Sequence, residues 1–161
     1  MSNSTLPRRA FLAGLSALAV PGLATPSLAI AKTATALEPL SILTSRGPVS
    51  FQVEVAADDA ARARGLMYRK SLAPDRGMLF DFHTPRPVAF WMRNTYISLD
   101  MIFIRNDGRI LSIARNTTPM SEEGVPSGGP VRAVLELVGG RAAEIGALPG
   151  DRVRHRIFPN G

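Results

Sequence analysis

The chain has 161 residues, 45% of them hydrophobic, with 19 basic against 13 acidic side chains for a formal net charge of +6 and no cysteine. The missing thiol excludes disulfide exchange, thiolate nucleophiles and thiolate metal sites, and the two histidines, His83 and His155, lie far apart without ligand spacing, so no metal or other cofactor is expected. No charge run or alternation of Arg with aromatic residues marks a nucleic-acid surface, and no nucleic-acid partner is expected.

The first residues read as an export signal. Paired Arg8 and Arg9, followed by Phe11-Leu12, lead into a mild apolar run over 13–20, a break at Pro21-Gly22 and a small-residue cleavage site at Ala29-Ile30-Ala31. The arginine pair matches the core of a twin-arginine signal, with Pro7 where that signal carries Ser or Thr, and an ordinary secretory signal would give the same destination. The apolar run falls short of the roughly 20 residues that cross a bilayer, so no transmembrane segment is expected after cleavage. The expected organisation is a signal peptide over 1–31, a flexible leader over 32–39 and one domain over 40–161, periplasmic or otherwise exported. Removing Arg8 and Arg9 leaves 17 basic and 13 acidic residues, so the exported chain is only mildly basic. At that length one hydrophobic core suffices without disulfides.

In chain order, a short strand is expected over 40–44, then a turn at Arg46-Gly47-Pro48. Val49, Phe51, Val53 and Val55 alternate with Ser50, Gln52 and Glu54, the period of a half-buried strand. Asp58 or Asp59 is placed to cap a short helix that ends near Gly65. Strands are expected over 77–82 and 88–92, separated by a turn at Thr84-Pro85-Arg86-Pro87. A nearly continuous apolar strand over 99–105 meets the Asp107-Gly108 turn and pairs with 109–114 as a hairpin. Residues 117–130, rich in Pro, Gly, Ser and acid, form a long loop. A strand over 131–138, a short helix over 141–148, and a last strand with Arg152, Arg154 and Arg156 on one face complete the chain. The order gives about seven strands and two short helices and never repeats the strand–helix–strand unit of a parallel sheet. The expected fold is mainly β (α+β): a single antiparallel barrel-like or curled-sheet domain.

Several short patterns stand in one order: Arg64-Gly65-Leu66-Met67-Tyr68-Arg69, Gly77-Met78-Leu79-Phe80, the block from Phe90 through Trp91-Met92-Arg93-Asn94-Thr95 to Leu99-Asp100-Met101-Ile102-Phe103, Asp107-Gly108, Val134-Leu135-Glu136-Leu137 and Gly150-Asp151. Together they resemble the DUF192 family of small bacterial and archaeal proteins. The resemblance covers about 49–153 and implies a compact, largely antiparallel barrel-like fold, and it carries no established activity. Some members have cysteines in the loop before Val131, and this chain has none there.

The residues themselves offer three kinds of chemistry. Arg64 and Arg69 flank Gly65, where two guanidiniums can fork an anion or else pair with Asp100 or Glu136. Asp100 and Glu136 are carboxylates set in apolar strand runs, fit either for a shared acid/base role or for structural pairing. Asn94 and Thr95 follow Trp91 and Met92, whose flat and polarizable surfaces suit a small-molecule wall. No nucleophile elbow, Ser-Lys pair or phosphate loop is present. The expectation is therefore an exported module binding a small polar or anionic ligand through Arg64, Arg69, Trp91, Met92, Asn94, Thr95, Asp100 and Glu136. One alternative is a hydrolase of carbohydrate or cell-envelope material using Asp100 and Glu136. The other is a structural protein that docks on a protein partner through its basic strand face.

Overall fold

The alternation that begins at Val49 sends Phe51 and Val53 into the core and leaves Ser50 and Gln52 exposed. The computed structural model describes residues 36–159; the expected export signal lies outside the described residues. Strands β1 (Leu37–Thr44) and β2 (Gly47–Ala56) form an antiparallel hairpin, from Leu37 opposite Glu54 to Thr44 opposite Gly47. β1 thus begins inside the stretch expected to be leader. Helix α1 (Asp59–Arg64) starts where the Asp58 carboxylate accepts the Ala61 N–H at 2.8 Å, and it ends at Gly65. There φ is 49° and ψ is −138°, and a Cβ would stand 3.1 Å from the Phe80 ring, so glycine is required.

The chain continues through β3 (Arg76–Arg86), β4 (Ala89–Phe90), β5 (Leu99–Ile104), β6 (Ile110–Ala114), β7 (Val125–Pro126), β8 (Val131–Val138), α2 (Arg141–Glu144) and β9 (Arg152–Arg154). Seven strands make a curled half-barrel in the order β6-β5-β8-β3-β2-β1-β9, and β4 pairs with β7 as a separate ribbon. The edge strands meet at one end: Arg109 bridges Arg152, Ile110 N–H donates to Asp151 O at 2.9 Å, and Val153 N–H donates to Gly108 O at 2.8 Å. Among the described residues no helix is long and apolar enough to cross a membrane.

The sheet is mixed, which corrects the antiparallel expectation. β2 and β3 run parallel, from Gln52 opposite Arg76 to Ala56 opposite Phe80. A parallel pair needs a crossover of about a dozen residues or more, and 57–75 supplies it with α1 inside it. One parallel strand–helix–strand unit is therefore present in a sheet expected to be mainly antiparallel. β3 also runs on through Thr84-Pro85, the expected turn, with a register shift between Asp81 and Arg86 that absorbs the proline. Asp81 is held at that shift by Arg132 at 2.7 Å. Burial alone would raise its carboxyl, but Arg132 and the His83 N–H outweigh burial and keep it below the usual range.

All seven strands of the half-barrel contribute to the inner face, including Ile42, Phe51, Leu79, Ile102, Leu135 and Val153, and Ala142, Ile145 and Ala147 plug it from α2 and its exit. The outer face is built on β3, β5 and β8 with Met78, Phe80, Met101, Phe103 and Val134, and Leu66 and Met92 roof it. Asp100 lies between Leu99 and Met101 of the outer face, so alternation turns its side chain inward. Fully buried, its Oδ1 accepts the Asn116 and Gly140 N–H groups at 2.8 and 3.0 Å, and its Oδ2 accepts the Ala142 N–H at 2.7 Å. One carboxylate thereby fastens the start of α2 and the segment after β6 to β5. Asp100→Ala strands these donors and is expected to cost about 3 kcal/mol in chemical denaturation, with Asp100→Asn costing less because one acceptor survives.

Candidate functional site

Register across the outer face sets out one row of side chains. Glu54 on β2 is opposite Met78 on β3, Met78 is opposite Glu136 on β8, and Glu136 is opposite Met101 on β5. Two acids in this row have different fates. Glu54 is forked by Arg69 at 2.5 and 2.7 Å. Glu136 is 4% exposed, and among the described residues no group hydrogen-bonds its carboxyl. Burial therefore pushes it up to about 8, so at neutral pH it holds its proton and acts as a donor.

Three loops roof this acid. Tyr68 N–H donates to Asn94 O at 2.8 Å, Met120 N–H to Thr95 O at 3.1 Å, and Met92 N–H to Ser121 O at 2.8 Å. Tyr68, Asn94 and Met120 all take left-handed backbone, with φ of 64°, 58° and 63°. Such residues each cost on the order of 1 kcal/mol and persist because surrounding bonds over-determine them. Under the roof is a cleft of about 40 Å³ walled by Arg64, Gly65, Met67, Trp91, Thr95 and Glu136, among others. The space admits a couple of waters or one group of carboxylate size. Arg62, also in the wall, is committed to the Ala57 and Asp81 carbonyls and to Asp59. Arg64 is exposed, and no ion pair holds it among the described residues.

Of the eight residues expected at a site, the structure gathers Arg64, Trp91, Thr95 and Glu136 around one opening. Arg69 is not in the lining and is engaged by Glu54, a carboxylate that alternation assigns to solvent. Asn94 serves the roof: its carbonyl accepts Tyr68 and its Nδ2 lies 3.9 Å from Met67 Sδ. Met92 is buried beneath, its Sδ accepting the Thr117 hydroxyl at 3.2 Å. Asp100 is on the inner face and shares no space with Glu136. Met67 and Phe90 are among the lining residues not foreseen, and the signal for Met67 is its place in the Arg64-Gly65-Leu66-Met67 run.

A wider depression of about 500 Å³ borders β1, β2 and β9, lined by Glu38, Phe51, Arg154 and His155 among others. Two of its charges, Glu38 and Arg156, answer one another. Arg156 forks Glu38 at 2.5 and 2.7 Å, and His155 Nε2 is 3.1 Å from Glu38 Oε2, outside hydrogen-bonding alignment. The expected stripe of three arginines is also broken, because β9 ends at Arg154 and Arg156 folds back onto Glu38.

The proton on Glu136 ties stability to pH. Its folded value is raised above the unfolded 4.5, so its contribution is fully present below pH 4.5 and declines as pH rises to about 8, where it levels off. Burial lowers His155 and gives it the opposite sign below its ordinary value, so urea melts at several pH values are expected to show the Glu136 decline as the difference between the native chain and Glu136→Gln. In Glu136→Gln the decline is absent, and above pH 8 the variant is the more stable protein.

The chain matches DUF192, "Uncharacterized ACR", over residues 41–155. Among solved structures it is similar to a candidate transcription regulator of Sinorhizobium meliloti 1021, at 44% identity and a TM-score of 0.76, covering 79% of this chain and 99% of that one. It is also similar to a protein of unknown function from Novosphingobium aromaticivorans DSM 12444, at 42% identity and a TM-score of 0.73, covering 74% of this chain and 85% of that one. No curated protein matches it. With a family match across nearly the whole described domain and two close structural relatives, the chain belongs to the DUF192 family.

Proposed function

We propose that this protein is an exported binding module that takes the anionic end of a small polar ligand in the cleft between Arg64 and Glu136. The observation that carries the reading is Glu136, a buried acid lining an open cleft that has no hydrogen-bond partner among the described residues. Leaving such a group unpaired costs about 1 to 3 kcal/mol, a cost that a ligand accepting its proton removes. Arg64 supplies the opposite charge at the mouth, and with no acid paired to it among the described residues its guanidinium can fork one from outside. An anion close by also holds Glu136 in its protonated form, so the two groups act together. The paired-carboxylate hydrolase loses its second member, because Asp100 faces the inner core and spends its oxygens on backbone donors. Export rests on Arg8, Arg9 and the small-residue site at Ala29-Ile30-Ala31.

A thermal-shift screen of the purified full-length chain tests the cleft. Organic anions are expected to raise the melting temperature, by an amount equivalent to about 2.7 kcal/mol at a hundred times the dissociation constant, and Arg64→Ala abolishes the shift. Equal stabilisation by neutral sugars, or a shift that survives Arg64→Ala, overturns the reading. Export is tested apart from binding by fusing residues 1–35 to a reporter. The fusion reaches the periplasm in a strain with an intact twin-arginine route and stays inside in one lacking it.

A further inference from the structure

The cleft is too small for a whole molecule. Small-molecule pockets run from about 300 to 1,000 Å³, and this one has about 40 Å³, so it admits one group and leaves the rest of its ligand on the rim. The rim is apolar. Tyr68, Trp91, Tyr96 and Met120, each about half exposed, are four of the six large hydrophobic residues that the described surface exposes. All four belong to the three roof loops: Trp91 lines the cleft itself, Tyr68 and Tyr96 adjoin the lining residues Met67 and Thr95, and Met120 is bonded to Thr95. The Tyr68 and Tyr96 rings meet edge to face with centroids 6.2 Å apart, and the Arg93 guanidinium stands 4.3 Å over the Trp91 ring. Exposed apolar side chains gathered around one opening mark a contact surface, whereas scattered ones do not. Their left-handed, mutually bonded loops keep that surface in place before anything binds, which lowers the ordering cost of binding.

The donors in the cleft narrow the group that enters. Arg64 offers two parallel N–H bonds and one positive charge, and Glu136 offers one O–H. Two oxygens and one negative charge satisfy this set, which is the description of a carboxylate; a phosphate brings more charge and more acceptor oxygens than the cleft has donors to meet. Resting on the anion-binding reading above, we infer that the ligand is a monocarboxylate with a flat apolar body. Its acid group enters between Arg64 and Glu136, and its body lies on the Tyr68, Trp91, Tyr96 and Met120 rim.

Trp91 is the single tryptophan of the chain, so its emission reports the rim directly. Phenylacetate, acetate, phenylacetamide, benzylamine and inorganic phosphate are titrated into the purified full-length chain. Phenylacetate is expected to bind at least about tenfold more tightly than acetate or phenylacetamide, a gap of about 1.4 kcal/mol, with benzylamine not saturating. Arg64→Ala removes the preference for acid over amide, and Tyr96→Ala lowers phenylacetate toward acetate. Both residues are exposed, and far-ultraviolet circular dichroism verifies that the variants fold. Equal affinities for acetate and phenylacetate, or saturation by phosphate alone, either one lost in Arg64→Ala, overturn the aromatic carboxylate and leave the anion cleft standing. Phenylacetamide or benzylamine binding as tightly as phenylacetate, or no probe binding at all, overturns both.

Discussion

The placement of β8 between β3 and β5 is the constraint on which the rest of the molecule depends. Alternation along this strand sends Ala133, Leu135 and Leu137 into the barrel and Val134 and Glu136 to the outer face. A slip of one residue would drive Glu136 against α2 and turn the leucines outward. Both neighbours fix the register at once, because Glu136 is opposite Met78 on one side and Met101 on the other. Gly77 adds a steric lock: a Cβ there would come within 2.7 Å of the Glu136 carbonyl, so β3 approaches β8 only with glycine at that position. Barrel packing and cleft chemistry are thus two faces of a single strand placement.

Much of this was legible in the sequence because it follows from period and turn chemistry. The alternation from Val49 to Val55, the Asp107-Gly108 hairpin and the apolar run of β5 appear where the residues put them. The parallel joining of β2 to β3 was not legible, since a short Ala-rich helix between two strands has the same local pattern whether the chain returns to the same end or the opposite one. Only the length of 57–75 bears on that choice. In the cleft, Arg64, Trp91, Thr95 and Glu136 were identified by residue type. The partner of Arg69 was missed because Glu54 reads as the solvent side of a half-buried strand. Nothing local reveals that α1 and its exit loop cover that side.

The covering loops show how strain and function are joined here. Tyr68 and Met120 are residue types that gain nothing from left-handed backbone, whereas Asn94 tolerates it, and each of the three lies at or next to a bond between neighbouring loops. The stabilisation that permits this comes from below, where Leu66, Met92 and Phe103 are buried against the outer face. The apolar packing of the roof is therefore what allows its upper surface to carry exposed aromatics in a set arrangement.

Asp100 and Glu136 bring the argument to its sharpest point. Both are acids in the middle of apolar strands, both are buried, and their residues lie on adjacent strands, with Asp100 opposite Leu137 and Glu136 opposite Met101. Composition and local pattern treat them alike. What separates them is the number of donors that tertiary structure brings to each: three backbone N–H groups for Asp100, and none among the described residues for Glu136. A carboxylate surrounded by donors is a structural fastener whose charge is already spent. One that burial keeps protonated, at the base of an opening beside an unengaged guanidinium, retains both its proton and its need for a partner. A buried acid in this fold is therefore assigned to structure or to binding by counting the donors that face it.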